Sequence, residues 1–312
     1  MNEYVPVRLS TIRPLLTLDF RVFIKLPSKY LLYVKPGDSL DCERLKSLKE
    51  RKVKKLFISG EDESQYQSFL DRGLKEAIEN SDMQSSERAV IVSGVASDAI
   101  EEVARDPGSE KAFEKTQKAA KGLQDVLKSD PQLLIALFDH EDSDCEADLF
   151  LKSALKGSTL AIKFAEALKM PQQTINDIGT AALLRDIGAK EELKIYQSKV
   201  SELSKEDLLT YRQHPAASEK LLLGKEFVSK KVLALIKRHE EKISGTGFPD
   251  KVSDLSKEEQ LLSLVCAYDR LITVEALPCD DALKSLKIDE MGNYDLKLIT
   301  QLGELLKREM LV

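Results

Sequence analysis

The sequence predicts an α+β protein in which a small N-terminal α/β domain precedes an all-α helical bundle. Runs of alternating apolar and polar residues, typical of strands, occur before about residue 75, and no comparable run follows residue 90. Beyond that point apolar residues recur at helical spacing. The 312 residues can form two separate cores. We expect domains at 1–85 and 141–312, joined by a helical linker at 86–140.

The N-terminal domain carries three strand signals. Residues 20–26 (FRVFIKL) alternate apolar and basic side chains, and residues 30–34 (YLLYV) are rich in types favoured in strands. The intervening Pro-Ser-Lys predicts an antiparallel hairpin. Residues 54–59 (KKLFIS) are the third predicted strand. Helices at 41–51 and 65–80 complete this domain, and the polar stretch 79–87 is expected to leave it.

After about residue 90 the sequence predicts helices and no strands. One of them, at 145–170, has apolar residues on too many faces for a single stripe, so we expect it to lie centrally in the bundle. The predicted helices span 89–104, 109–128, 133–138, 145–170, 174–187, 205–212, 216–223, 229–240, 256–274, 280–286 and 295–310.

Composition excludes several classes of protein. A formal net charge of −6 argues against binding DNA or RNA along the whole surface, because such binding depends on neutralising many phosphates. The four cysteines lie far apart without C-x-x-C pairing, so the sequence predicts neither a disulfide framework nor a thiolate zinc site. The start of the chain does not resemble a signal peptide, and no apolar stretch is long enough to cross a membrane. We expect a cytoplasmic protein that is not associated with a membrane.

Four residues at or near the ends of different predicted helices predict a metal site. Asp186, His214, His239 and Asp269 follow one another at intervals of about 25 to 30 residues, which a helical bundle can bring together. The chain has only three histidines, and two of them belong to this set. Imidazole and carboxylate together suit iron, manganese or zinc, whereas magnesium and calcium sites use oxygen alone.

The same segments carry a family resemblance. LLRDIGA, ending at Ala189, resembles the HDIGK element of the HD superfamily of metal-dependent phosphohydrolases, and His214-Pro215 resembles the next ligand of that family. RHEEKISGTGFP, ending at Pro249, is similar to the HHE-x-x-DG-x-GYP signature of the HD-GYP family. VCAYDRLIT resembles the closing helix of the family, with Asp269 as its ligand. The resemblance covers roughly residues 145–310 and makes the expected bundle one of the HD type. The N-terminal hairpin is similar to a domain often found ahead of HD-GYP modules.

This resemblance implies hydrolysis of cyclic di-GMP to pGpG or GMP by a metal-bound hydroxide. The implied cofactor is a pair of divalent metal ions, with iron as the preferred metal and manganese as the alternative. Asp186 is implied as the ligand that bridges the two ions and as the central catalytic residue. The implied ligands that complete their coordination are His214, His239, Glu240 and Asp269. Lys190 is implied as a second catalytic residue that also contacts phosphate. The substrate-binding residues implied with it are Arg185, Gly245, Gly247 and Phe248.

Departures from the family pattern leave several alternatives open. Arg185 stands where the family has a histidine, and a guanidinium cannot coordinate a cation because it stays protonated. It could instead pair with a carboxylate such as Asp186, or contact phosphate. Glu241 is the alternative to Glu240, because consecutive helical residues point about 100° apart. The family's upstream histidine falls near Ser153, where Glu146 or Asp148 could supply a carboxylate for a third metal.

Two further positions, one in the substrate loop and one in the HDIGK-like element, depart from the pattern. Phe248 replaces the tyrosine of GYP and loses its hydroxyl, and Ala189 replaces the lysine of HDIGK, with Lys190 one place later. The loss of the tyrosine at 248 and of the histidine at 185 raises the hypothesis of a cyclic di-GMP sensor or scaffold without turnover. A further hypothesis is an HD phosphohydrolase that acts on another nucleotide, because the HD element alone does not define the substrate. We expect the N-terminal domain to serve in regulation or dimerisation, so the expected protein partner is a second copy of the chain or a signalling protein.

Overall fold

The computed structural model describes residues 4–139 and 149–312, without the side chains of Asp139, Lys190 and Glu191. The chain divides into two compact units, whose described parts are residues 4–98 and residues 99–139 with 149–312. The predicted fold class is confirmed, because the first unit holds a small antiparallel sheet and the second unit is helical. In these described ranges we find no helix with the length and hydrophobicity needed to span a bilayer.

The first unit contains a four-stranded antiparallel sheet in the order β1-β4-β2-β3. The predicted hairpin and third strand form three of these strands, whereas β1 is an addition to the prediction. Pro6 lies within β1, and proline is tolerated there because β1 is an edge strand. The elements of this unit are β1 (Tyr4–Arg8), β2 (Val22–Lys25), β3 (Tyr30–Val34), α1 (Cys42–Glu50), β4 (Lys55–Ser59), α2 (Glu63–Glu79) and the first part of α3 (Ser85–Arg105).

One face of the sheet and one face of α2 form the core of this unit. Phe20, Leu56 and Ile58 are completely buried in the same cluster as Phe69 and Leu70 of α2. The alternation of apolar and polar residues seen in the sequence therefore corresponds to a buried and a more exposed face, as the period of two requires.

The second unit is all-α. The predicted start of its long helix at Cys145, together with Glu146 and Asp148, lies outside the described residues. Its remaining helices are α4 (Glu110–Ser129), α5 (Leu133–Asp139), α6 (Leu149–Ala167), α7 (Gln172–Leu184), α8 (Leu193–Tyr196), α9 (Lys205–Leu222), α10 (Lys230–Arg238), α11 (Lys257–Thr273), α12 (Cys279–Ile288) and α13 (Leu296–Arg308).

Helix α6 lies centrally in this unit and packs against α4, α7, α11 and α13. It is buried on nearly all sides, which agrees with its lack of a single apolar stripe. Helix α4, predicted as part of a linker, packs on α6 and α7 and contributes Phe113, Leu123 and Val126 to the core.

Helix α9 differs from its prediction in a way that matters for the site. Two helices at 205–212 and 216–223 were expected, separated around His214-Pro215, but α9 is continuous from Lys205 to Leu222 with Pro215 inside it. Proline removes one helical hydrogen bond and usually breaks or kinks a helix. In α9 the carbonyl of Tyr211 loses its helical donor and accepts a hydrogen bond from the imidazole of His214 instead.

Candidate metal centre

Three predicted ligands converge on one buried point. Asp186 follows the end of α7, His214 lies in the middle of α9, and His239 directly follows α10. The two Nε2 atoms lie 3.0 Å apart, and each lies 3.2 Å from Oδ1 of Asp186. All three side chains are at most 4% exposed. The structure thus brings residues from two helix ends and from the middle of a third helix into one cluster that could hold a metal ion.

The backbone fixes the orientation of both imidazoles. Nδ1 of His214 lies 2.7 Å from the carbonyl oxygen of Tyr211, and Nδ1 of His239 lies 2.6 Å from that of Ile236. A carbonyl oxygen can only accept, so each Nδ1 carries a proton and donates it. In the neutral tautomer this leaves the Nε2 lone pairs free, and both face the cluster.

These residues fit a divalent metal ion. Oδ1 of Asp186 is buried and accepts no hydrogen bond within the described part of the chain. Three electron-rich atoms at about 3 Å with no donor between them are unfavourable unless a cation or protons lie there. Two imidazole nitrogens and one carboxylate oxygen form a donor set suited to iron, manganese or zinc.

The other oxygen of Asp186 is held by the protein. Oδ2 accepts a hydrogen bond of 2.5 Å from the hydroxyl of Tyr196 and lies 3.0 Å from Nε of Arg185. Burial opposes ionisation, but the adjacent charge of Arg185 outweighs it and holds the pKa of Asp186 well below its usual range. Burial raises the pKa of Tyr196 well above its usual range, and the charge of Asp186 adds to this effect. The tyrosine therefore stays a donor, and Asp186 is fixed with one oxygen directed at the cluster.

Asp269 does not join the three converging ligands. Its Oδ2 is 2.9 Å from Nη2 of Arg185 and accepts a short hydrogen bond from the hydroxyl of Ser153, while Oδ1 accepts from Thr273 at 3.0 Å. Arg185, predicted to contact substrate, is 2% exposed and donates to acceptors within the chain. Two roles for Arg185 were left open by the sequence, pairing with a carboxylate or contact with phosphate. In the structure Arg185 pairs with the carboxylates of Asp186 and Asp269.

The two consecutive glutamates have different surroundings. Glu240, predicted as a ligand, is half-buried, and its Oε1 accepts a 3.1 Å hydrogen bond from the hydroxyl of Tyr211. Glu241 is completely buried, and its two oxygens accept from the backbone N–H groups of Asp250 and Val252 at 2.7 and 3.1 Å. Neither residue belongs to the cluster around Asp186. Glu241 fixes the loop that follows it.

The predicted substrate loop closes on itself. Gly247 passes so near the preceding turn that a Cβ there would lie 2.5 Å from Cα of Glu241, so the residue cannot carry a side chain. Gly245 has a φ of +72°, in the left-handed region that favours glycine. The ring centroid of Phe248 lies 6.0 Å from that of His214 and 5.6 Å from that of Tyr211. The glycines therefore shape the loop, and Phe248 places an apolar ring beside a predicted ligand.

A cavity of about 180 Å³ borders the cluster at His214. Its walls include Gly188, Glu192, Tyr196 and Tyr211. The side chain of Lys190, predicted to contact phosphate, lies outside the described part of the structure.

Tyr196, Tyr211 and Arg270 were not predicted from the sequence. Arg270 packs its guanidinium 4.5 Å from the ring centroid of Tyr211 and donates to the carbonyls of Tyr196 and Ser198. The sequence held one usable signal: Tyr211 precedes His214 by one helical turn, so the two share a face of α9. No comparable signal indicated Tyr196, because it lies in the four-residue helix α8, which was not predicted.

Comparison with known proteins agrees with this arrangement. The family model for the HD domain matches residues 123–298, more than half of the chain. The solved structure of Bd1817, a HDG"Y"P protein from Bdellovibrio bacteriovorus, has a TM-score of 0.82 and 30% identity, and the match covers 98% of this chain and 100% of that one.

A curated relative matches over a shorter region. Cyclic di-GMP phosphodiesterase PA4108 of Pseudomonas aeruginosa is 32% identical over 90 residues, which cover 29% of this chain and 22% of that protein. The match thus spans about a fifth of the length of that relative. The chain therefore belongs to the HD domain family, and within it to the HD-GYP type, as its fold, its Asp-His-His cluster and these matches all indicate.

Proposed function

We propose that this protein is a metal-dependent phosphodiesterase that hydrolyses cyclic di-GMP to pGpG or GMP. The observation that carries this proposal is the convergence of Asp186 Oδ1 with the Nε2 atoms of His214 and His239, with no hydrogen-bond donor from residues 4–139 or 149–312 as described between them. The named activity of the Pseudomonas relative supports the choice of substrate.

The proposed cofactor is iron, with manganese as the alternative, because both accept mixed imidazole and carboxylate ligands. When bound, such an ion activates water near neutral pH and neutralises charge on phosphodiester oxygens. Asp186, His214 and His239 would hold it. Tyr196 and Arg185 keep the Asp186 carboxylate in place from its other side.

The cavity beside His214 is the proposed entry for substrate. At about 180 Å³ it is smaller than typical pockets for small molecules, so it would accept one part of a dinucleotide and leave the rest outside. Tyr196 and Tyr211, both buried, line it beside His214. Glu192 adds a carboxylate that can accept from the N–H groups of a base.

A second candidate function is a cyclic di-GMP receptor without turnover. It is favoured by Phe248, whose ring lies beside His214 and has no hydroxyl to donate to a phosphodiester. Such a receptor would keep the pocket and bind the nucleotide without releasing product.

One experiment separates these functions. The full chain is loaded anaerobically with Fe(II) or Mn(II), incubated with cyclic di-GMP, and the products are separated by chromatography. Asp186→Asn removes the central ligand charge, and Asp177→Asn is the matched control, because Asp177 is a buried carboxylate on α7 that lies outside the cluster. We expect pGpG or GMP from the wild type and from Asp177→Asn, with at least a 100-fold slower rate for Asp186→Asn.

The other outcomes are equally informative. Cyclic di-GMP binding measured by calorimetry, with no product at any metal loading, supports the receptor and contradicts the enzyme. Absence of both binding and product contradicts both functions and favours a phosphohydrolase for another nucleotide.

A further inference from the structure

A closed network of hydrogen bonds fills the space beside the metal centre. Arg185 lies at its middle, and each of its three guanidinium nitrogens has an acceptor within the chain. Nε lies 3.0 Å from Asp186 Oδ2, and Nη1 donates to the carbonyl of Ala182 at 2.9 Å. Nη2 lies 2.9 Å from Asp269 Oδ2 and 2.7 Å from the hydroxyl oxygen of Ser153. A guanidinium held in this way is not available to a phosphate.

Asp269 is committed to the same network. One of its oxygens faces Arg185 and Ser153, and the other accepts from Thr273. A metal ion bound to Asp269 would have to displace the guanidinium or lie against it. Because arginine stays protonated, the second arrangement would place two positive charges together in a buried site.

The backbone of α6 makes room for this guanidinium. A Cβ on Gly157 would lie 2.5 Å from Nη1 of Arg185 and 3.1 Å from Cζ. Ser153, one helical turn earlier on α6, receives Nη2 on its hydroxyl and on its carbonyl. The family resemblance puts histidines near position 153 and at position 185, and in this chain the residues at both positions bind Asp269 instead of offering an imidazole.

We propose that the Arg185 guanidinium takes the place of a second metal ion, so that the centre binds one divalent ion per chain. Asp269 is then the partner of an internal cation and not a metal ligand. Gly157 and Ser153 are positioning residues for that cation. This inference rests on the proposed metal-dependent function and narrows it from the two ions that the resemblance implies to one.

The test is the number of metal ions bound by the full chain. Apoprotein is titrated with Mn(II) under anaerobic conditions, and bound metal is measured by mass spectrometry and by electron paramagnetic resonance. We expect about one ion per wild-type chain, with the six-line spectrum of an isolated Mn(II). Arg185→His removes the cation and supplies an imidazole, and we expect it to bind about two ions with a spin-coupled spectrum. Arg185→Lys keeps the positive charge and should stay at one.

The outcomes distinguish this inference from the proposed function. Two ions in the wild type would overturn the inference while leaving the metal-dependent function intact. No ion in the wild type would overturn the metal centre itself. One ion in both the wild type and a folded Arg185→His would show that Arg185 does not exclude the second ion, and would also overturn the inference.

A second measurement needs no metal. When Arg185 is retained, Gly157→Ala should lower the thermal midpoint of the apoprotein sharply, because the new methyl group collides with the guanidinium. In the Arg185→His background the same change should cost much less. Equal losses in the two backgrounds would contradict the pairing of Gly157 with the guanidinium.

Discussion

Pro215 leaves the carbonyl of Tyr211 without its usual helical donor. In an α-helix the N–H of residue 215 would bond to the carbonyl of residue 211, and proline has no N–H. The free carbonyl accepts instead from Nδ1 of His214 at 2.7 Å. The same proline that predicted a break in α9 therefore orients the imidazole of the residue before it.

This account predicts the effect of Pro215→Ala. The new N–H would compete with His214 for the Tyr211 carbonyl, so the imidazole would lose its fixed tautomer and direction. We expect metal affinity to fall by about 10-fold, the lower end of the range for loss of such an outer hydrogen bond. The measurement is competition with a chelator of known affinity. The thermal midpoint of the apoprotein should stay the same or rise, because an internal helical hydrogen bond is restored.

Pro278→Ala is the matched control for this substitution. Pro278 precedes α12 at its N-cap, where an added N–H needs no helical acceptor, so metal affinity should not change. Unchanged affinity in Pro215→Ala would show that the Tyr211 carbonyl does not orient His214.

At the scale of elements, the turn after α10 is held by one carboxylate. The carboxylate of Glu241 accepts hydrogen bonds from the backbone N–H groups of Asp250 and Val252. The backbone carbonyl of Glu241 accepts a further hydrogen bond from the hydroxyl of Ser263 on α11. Gly247 passes directly over this turn. The segment that follows His239 is therefore fixed from within, which keeps the end of α10 and its imidazole in place.

We predict that Glu241→Gln destabilises the protein more than Glu240→Gln does. A glutamine at 241 would turn its amide N–H₂ toward one of the two backbone donors and leave that donor unsatisfied. The expected loss is about 1–3 kcal/mol of unfolding free energy, typical of a buried group without a partner. Glu240 is the natural control, since its side chain is half-buried and accepts a 3.1 Å hydrogen bond from the hydroxyl of Tyr211, not from backbone N–H groups as Glu241 does. Urea denaturation of both variants checks this, and an equal loss at both positions would contradict it.

At the scale of the whole molecule, periodicity was enough to predict the fold class. The alternation in residues 20–34 and the helical spacing after residue 90 follow directly from which face of each element is buried. Strand β1 was not predicted because a proline in five residues weakens the strand pattern. The prediction of a break in α9 was wrong, because the sequence does not show that the side chain of His214 replaces the N–H donor that Pro215 lacks.

The site was predictable only in part, for a related reason. Ligand types and their spacing indicated Asp186, His214 and His239, which the bundle brings together. The sequence could not show that the space next to them is filled by Arg185, because that depends on Gly157 and Ser153 on a different helix. It could not separate Glu240 from Glu241 either, because that choice depends on where the loop returns to pair with Glu241.

The metal should act as a crosslink within the second unit. Its three proposed ligands come from the end of α7, the middle of α9 and the end of α10, so an ion bound to the folded state alone joins three helices. An ion at about 100 times its Kd stabilises a protein by about 2.7 kcal/mol. For a unit of this size that corresponds to a rise in thermal midpoint of about 5–10 °C.

We therefore predict that adding Mn(II) to chelator-treated apoprotein raises the thermal midpoint in the wild type and in Asp177→Asn, and does not raise it in Asp186→Asn. Each variant is compared with its own metal-free form, so differences in basal stability cancel. Hydrogen exchange locates the effect: protection should increase around residues 184–188, 211–215 and 236–241, where the ligands and their carbonyl partners lie. A full rise in Asp186→Asn, or protection that leaves these three segments unchanged, would mean that the ion binds elsewhere in the chain.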